Sequence, residues 1–136
     1  MVTQVEIVFQ NGENLDGFYR FRPRETVKGT VTIRPDRNIN CNHLYIRLEW
    51  HTEGRGTRFS QKVAEMDVFQ GTLAQGIART FDFEFTIPKK PWSFEGHYVS
   101  VVWNVQVQID IPMARDVNES AVFLVEPDRE PADSVW

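Results

Sequence analysis

The chain has 136 residues, enough for one domain that buries about two-thirds of its unfolded surface without covalent staples. Its formal charge of −4 argues against nucleic acid as a partner, because such binding rests on Lys and Arg neutralising phosphates. The lone cysteine, Cys41, excludes an internal disulfide, and no apolar run reaches the roughly 20 residues a membrane-spanning helix needs.

Period-two alternation of apolar and polar residues dominates the chain, which is the pattern of strands with one wet face. Gln4–Phe9 reads as a short first strand, followed by turn residues Asn11-Gly12 and Asp16-Gly17. Thr26–Arg34 sets Val27, Val31 and Ile33 on one face, with Gly29 among them. A glycine inside a strand marks a bulge or a close approach by another group. Pro35-Asp36 opens a turn, and residues 38–42 read as a polar loop holding Cys41.

Residues 43–51 alternate cleanly. Leu44, Ile46, Leu48 and Trp50 face one way; His43, Arg47, Glu49 and His51, with Tyr45 among them, face the other. Gly54-Arg55-Gly56 reads as a hairpin tip. Residues 59–69 form a weaker strand, in which 61–67 allow at most one helical turn. Gly71 and Gly76 bound the next loop. Phe81, Phe83, Phe85 and Ile87 then alternate with Asp82, Glu84 and Thr86, and Pro88 and Pro91 stop the strand because proline cannot donate to a ladder.

Residues 98–111 make the longest run, with Val99, Val101, Trp103, Val105, Val107, Ile109 and Ile111 on one face. At about 3.3 Å per residue it spans roughly 46 Å, a length that predicts a bend or bulge. Pro112 and Asn118 enclose a hairpin loop, and residues 121–125 are apolar on both faces, as in a covered central strand. The acidic, proline-containing stretch 126–136 reads as a frayed tail, with Val135 and Trp136 able to dock. The expectation is therefore all-β: an immunoglobulin-like antiparallel β-sandwich of about seven or eight strands, with residues 1–125 as the domain and 126–136 as the tail.

Catalytic chemistry has no constellation to rest on. His43 and His51 stand eight residues apart on one strand, roughly 26 Å by strand geometry, and His97 opens another, so they do not form a metal site. Cys41 has no base placed beside it by sequence. Glu49, Asp82, Glu84 and Asp110 fall on outward positions and read as solvated carboxylates. The chain carries no phosphate-binding loop, zinc-protease or serine-hydrolase motif. No cofactor, metal or catalytic residue is expected.

The distinctive loop is Pro88-Lys89-Lys90-Pro91-Trp92-Ser93-Phe94-Glu95-Gly96. Lys89, Lys90, Trp92 and Phe94 combine cations with aromatics, as partner-facing patches do, although Trp92 and Phe94 would equally serve by folding back onto the core. Arg55, Arg58 and Lys62 make a second basic cluster around the hairpin tip. A different class of reading uses Tyr45, Trp92 and Tyr98 as an aromatic platform for carbohydrate or another ligand, as in surface or phage-type sandwiches.

Two blocks carry a family resemblance. The first is the strand with Glu25, Val27, Gly29 and Val31. The second is Phe81-Asp-Phe83-Glu-Phe85-Thr-Ile87-Pro88, then Ser93-Phe94-Glu95-Gly96, then Val101-Val102-Trp103-Asn104-Val105. In this order, over residues 2–125, they resemble the arrestin-like fold family, which includes arrestins, trafficking adaptors and bacterial sporulation-control proteins. The resemblance implies an immunoglobulin-like sandwich, no enzyme activity and an adaptor or scaffold role. Such proteins usually carry two domains in tandem, so a lone domain is expected to pair with a copy of itself, an edge strand offering the route. Residues 2–9 hold no paired lysines of the phosphate-sensing kind, so phosphoreceptor binding does not carry over, and the bacterial-type or minimal branch fits best. The N-terminus MVTQVEIVFQ lacks the features of a signal peptide. The expected setting is the cytoplasm, with protein partners and at most peripheral membrane association.

Overall fold

The computed structural model describes residues 3–15, 17–56, 58–95 and 99–127. In chain order the strands are β1 (Gln4–Phe9), β2 (Glu13–Leu15), β3 (Phe18–Phe21), β4 (Thr26–Arg34), β5 (Ile39–Gly54), β6 (Ser60–Leu73), β7 (Arg79–Thr86), β8 (Phe94–Glu95), β9 (Val99–Asp110) and β10 (Val117–Val125). They form two sheets. The smaller has the order β1-β4-β7, and the larger runs β2-β3-β10-β9-β5-β6, with β8 joined to β9. All pairings are antiparallel except β3 with β10, which is parallel.

The alternation read from sequence becomes the core. Val27, Val31 and Ile33 of β4 and Phe83 and Phe85 of β7 point in from the small sheet. Leu44, Ile46 and Leu48 of β5, Trp103 to Ile109 at odd positions of β9, and Phe123 and Val125 of β10 meet them from the large one. β1 lies over β10, and β7 over β6, where the rings of Phe81 and Phe69 sit 5.7 Å apart. Gly29 is a close approach and not a bulge: a Cβ there would stand 2.3 Å from the Val8 carbonyl and 2.4 Å from the Phe83 ring. β10 lies between β9 and β3, the central place expected, but it is covered on one face only: Phe123 and Val125 are buried while Val122 is 46% exposed.

Several expectations change. Three short strands, β2, β3 and β8, bring the number described to ten. Residues 61–67 belong to the long strand β6, with no helical turn, because Ala64 and Met66 pair with Leu48 and Ile46 against the core. The segment around Cys41 is not a polar loop. It is the first part of β5, and Cys41 is 4% exposed, paired with Gly71 of β6. β9 keeps a continuous register with β5 from Val99 to Asp110; the irregularities lie in the β5–β6 pair, around Leu44 and between Leu48 and Glu49. Length on β9 is absorbed instead by a change of partner: residues 103–109 pair with β10, while Ser100 and Val101 pair with β8. His97, Tyr98 and residues 128–136 of the expected tail lie outside the described residues. Among the described residues no helix is long and apolar enough to cross a membrane.

Candidate functional site

Strand register brings the two basic clusters to one end of the large sheet. On β9, Ser100 lies between Glu53 of β5 and Glu95 of β8, and Val99 lies opposite Gly54. The β5–β6 tip with Arg55 and Arg58, and the β7–β8 connection with Lys89, Lys90 and Trp92, therefore emerge at the same edge of the molecule. All four cations are exposed.

The β7–β8 connection is held by the core it closes. The buried Trp103 indole N–H donates to the Pro91 carbonyl at 3.0 Å. Ser93 is pinned to β10 twice: its N–H donates to the Val125 carbonyl at 2.7 Å, and its Oγ accepts from the Val125 N–H at 2.8 Å. Trp92, between these anchors, stays 46% exposed, its indole N–H donating to the Lys89 carbonyl at 3.1 Å. Phe94 stands opposite Val101, and only its backbone is described.

Register also supplies an aromatic that sequence reasoning passed over as the start of a weak strand. Phe59 is 66% exposed and stands opposite Thr52, whose N–H donates to the Phe59 carbonyl at 2.7 Å. Phe59, just before β6, thus continues a row with Thr52, Val101 and Phe94 of three strands, one step beyond the Trp50–Trp103 pair. The signal available in sequence was a large aromatic directly after a Gly/Arg tip.

The other sequence candidates are dispersed. Tyr45 pairs with Gln108, at the far end of β9 from β8, so Tyr45 and Trp92 do not share a platform. The Tyr45 ring is also flanked by the His43 ring, stacked at 5.2 Å, and by the Arg47 guanidinium at 4.6 Å. Tyr98 lies outside the described residues. Burial pushes the Cys41 thiol up to about 11, with the Asp110 and Asp67 charges adding to it, so at neutral pH it is a protonated core side chain.

The histidines behave differently from each other. His43 is half-exposed, its Nδ1 2.6 Å from Asp67 on β6. His51, expected at the surface, is buried between Glu53, Glu49 and Asn104, with Nε2 2.8 Å from Glu53. Among the described residues no group of three His, Cys, Asp or Glu side chains converges as a metal site. A cleft of about 660 Å³ carries Arg20, Arg22 and Lys28 beside Glu13, Glu25 and Glu84, and its charges balance in ion pairs.

Comparison with known proteins gives the fold a lineage. The architecture is similar to that of the sporulation control protein Spo0M from Bacillus subtilis, with a TM-score of 0.70 at 18% identity over 94% of this chain. The chain spans about half of that structure, 51% of its length. No curated protein matches the sequence. The family model for the N-terminal domain of arrestin (or S-antigen) matches residues 57–129, more than half of the 136, covering the β6 edge, the Phe-rich strand, the loop with Trp92 and the whole of β9 and β10. The chain therefore belongs to the arrestin N-terminal domain family.

Proposed function

We propose that residues 1–125 form a non-catalytic interaction domain, working in the cytoplasm, that docks an acidic segment of a partner protein at the β5–β6 and β7–β8 end of the large sheet. The observation that carries this reading is that strand register brings Arg55, Arg58, Lys89 and Lys90 to the same end of the large sheet as the exposed Trp92 and Phe59. Four cations stand at this end with exposed aromatic surface, and Glu53, Glu95 and Glu126 stand there too. Exposed aromatics next to cations supply the anchor and the steering that protein interfaces use. The arrestin-like fold supports an adaptor role, and the same reading includes self-association through a free strand edge.

The test is cross-linked capture from the source cell, comparing the wild-type chain with Lys89→Glu/Lys90→Glu/Trp92→Ala and with Lys28→Glu on the other sheet. The expected result is a defined partner kept by the wild type and by Lys28→Glu, and weakened at least about tenfold by the triple variant, since losing an aromatic anchor alone costs more than 1 kcal/mol. Equal capture by all three chains overturns the reading. So does binding to phosphatidylserine vesicles that the triple variant abolishes while protein capture is unchanged, because that result assigns the patch to a lipid surface.

A further inference from the structure

The larger sheet has two edges, and they differ sharply. One ends in the three-residue β2. The other is β6, fourteen residues long, paired on one side only, with β5. The edges of the smaller sheet are shorter: six residues in β1 and eight in β7. β6 is thus the longest free edge among the described strands, and it contains no proline to block a ladder.

A long edge normally carries charge that deters arbitrary pairing. On β6 the outer face, set by pairing with Glu49, Arg47 and Tyr45, holds Lys62, Glu65 and Asp67. The inner face, set by pairing with Trp50, Leu48 and Ile46, holds Gln61, Ala64 and Met66. These charges match one partner in particular. Turned about a two-fold axis between Val63 and Ala64, a second β6 runs antiparallel to the first and sets Lys62 opposite Glu65 of the other copy, twice. Val63 is bulged out of the β5–β6 ladder, which puts Lys62 and Glu65 on one face, so in that register Gln61 meets Met66 and Ser60 meets Asp67, outer with outer and inner with inner. Centring the axis on Met66 instead puts Glu65 opposite Asp67, a like-charge pair that costs stability.

We propose that two copies of this chain associate through β6, antiparallel and centred between Val63 and Ala64, joining the two large sheets into one. This rests on the self-association reading and gives it an edge and a register. Lys62 lies 3.2 Å from Glu65 within one chain, so the two groups already share a neighbourhood, and pairing across the axis exchanges partners without stranding a charge. The hydrogen bonds come from the backbone, and the charges choose the register.

Sedimentation and site-directed cross-linking test this on the full chain. Wild type should show a reversible rise from monomer to dimer mass with concentration, and Lys62→Glu should weaken the dimer roughly tenfold or more by placing like charges opposite each other twice. In a Cys41→Ala background, Lys62→Cys and Glu65→Cys should each resist oxidation alone, because like positions are roughly 8 Å apart in this register, beyond disulfide reach. An equal mixture should give disulfide-linked heterodimers, because the two Cα atoms come within bridging distance. Circular dichroism checks that each variant keeps its fold, and the wild-type measurement needs none of them. A strict monomer at high concentration overturns both the pairing and the self-association reading. A dimer whose mixed cysteines fail to link overturns the β6 register and leaves self-association standing. Glu65→Lys puts a lysine opposite Lys62 twice and lies outside the Trp92 patch, so a variant that is monomeric yet still captures the partner separates this edge from that patch and supports the proposal.

Discussion

At the scale of a residue, Gly29 shows how much a missing side chain can decide. It occupies an inward position of β4, between Val27 and Val31, where every neighbour on its face is a large apolar group. Its partners are Phe9 on β1 and Phe83 on β7, and the Phe83 ring folds into the space a side chain would fill. On the other side stands the backbone carbonyl of Val8, which cannot move without breaking the β1–β4 ladder. Its φ is not in the left-handed region, so the cost of replacement is steric, not conformational. Gly29→Ala should destabilise the domain by about 2 kcal/mol or more, in the range of overpacked cores, despite the better strand propensity of alanine. Urea denaturation of the two proteins measures it, and equal midpoints would mean that the Phe83 ring swings aside freely. Cys41 carries the converse lesson: among the polar residues of 38–42 it looks like part of a loop, yet burial makes it core.

At the scale of an element, the β5–β6 pair is fastened on its wet face by charge. The Arg47 guanidinium beside Glu65, helped by Lys62, holds that carboxyl below the usual range. The hydrogen bond from His43, helped by Gln70, does the same for Asp67. Both carboxyls therefore bind protons less readily folded than unfolded. Their contribution is fully present above the unfolded-state values near pH 4 and is lost as the pH falls through and below that window. Stability measured by urea unfolding should drop between pH 6 and pH 3, and the drop should shrink in Arg47→Met, which frees Glu65. An unchanged pH slope in that variant would show that the pair contributes nothing. The faces of β4, β5, β7 and β9 were all legible in sequence because a half-buried strand must alternate. The partners were not, because register is set across the sheet. So the placing of Arg55, Arg58 and Lys89–Trp92 at one end of the large sheet, and the burial of His51 against Asn104, could be seen only once β9 had neighbours on both sides. β2, β3 and β8 escaped notice for another reason: two to four residues give no periodicity to count.

At the scale of the whole molecule, what unites the two sheets is an aromatic cluster. Phe123 of β10 is fully buried and meets Phe9 of β1 at 5.6 Å, Phe21 of β3 at 5.4 Å and Trp103 of β9 at 6.1 Å. Phe9 in turn reaches Phe83 of the small sheet at 6.3 Å. The contacts of Phe9 with Phe123 and Phe83, and of Phe21 with Phe123, are edge-to-face and add to the area each ring buries. The cluster also abuts the Trp103 indole that anchors Pro91, so packing between sheets and the seating of the Trp92 loop depend on the same rings. Phe123→Ala should cost about 3–5 kcal/mol, a large part of the roughly 5–15 kcal/mol that a domain of this size has in total. Because the lost ring touches both sheets, the loss should fall on the whole fold at once. Tryptophan fluorescence, which reports on the loop end, and far-UV circular dichroism, which reports on the strands, should give one coincident urea transition at a lower midpoint. Two separated transitions would mean that the small sheet holds without the cluster, and that the two layers are independent bodies where the packing of Phe9 against Phe123 makes them one.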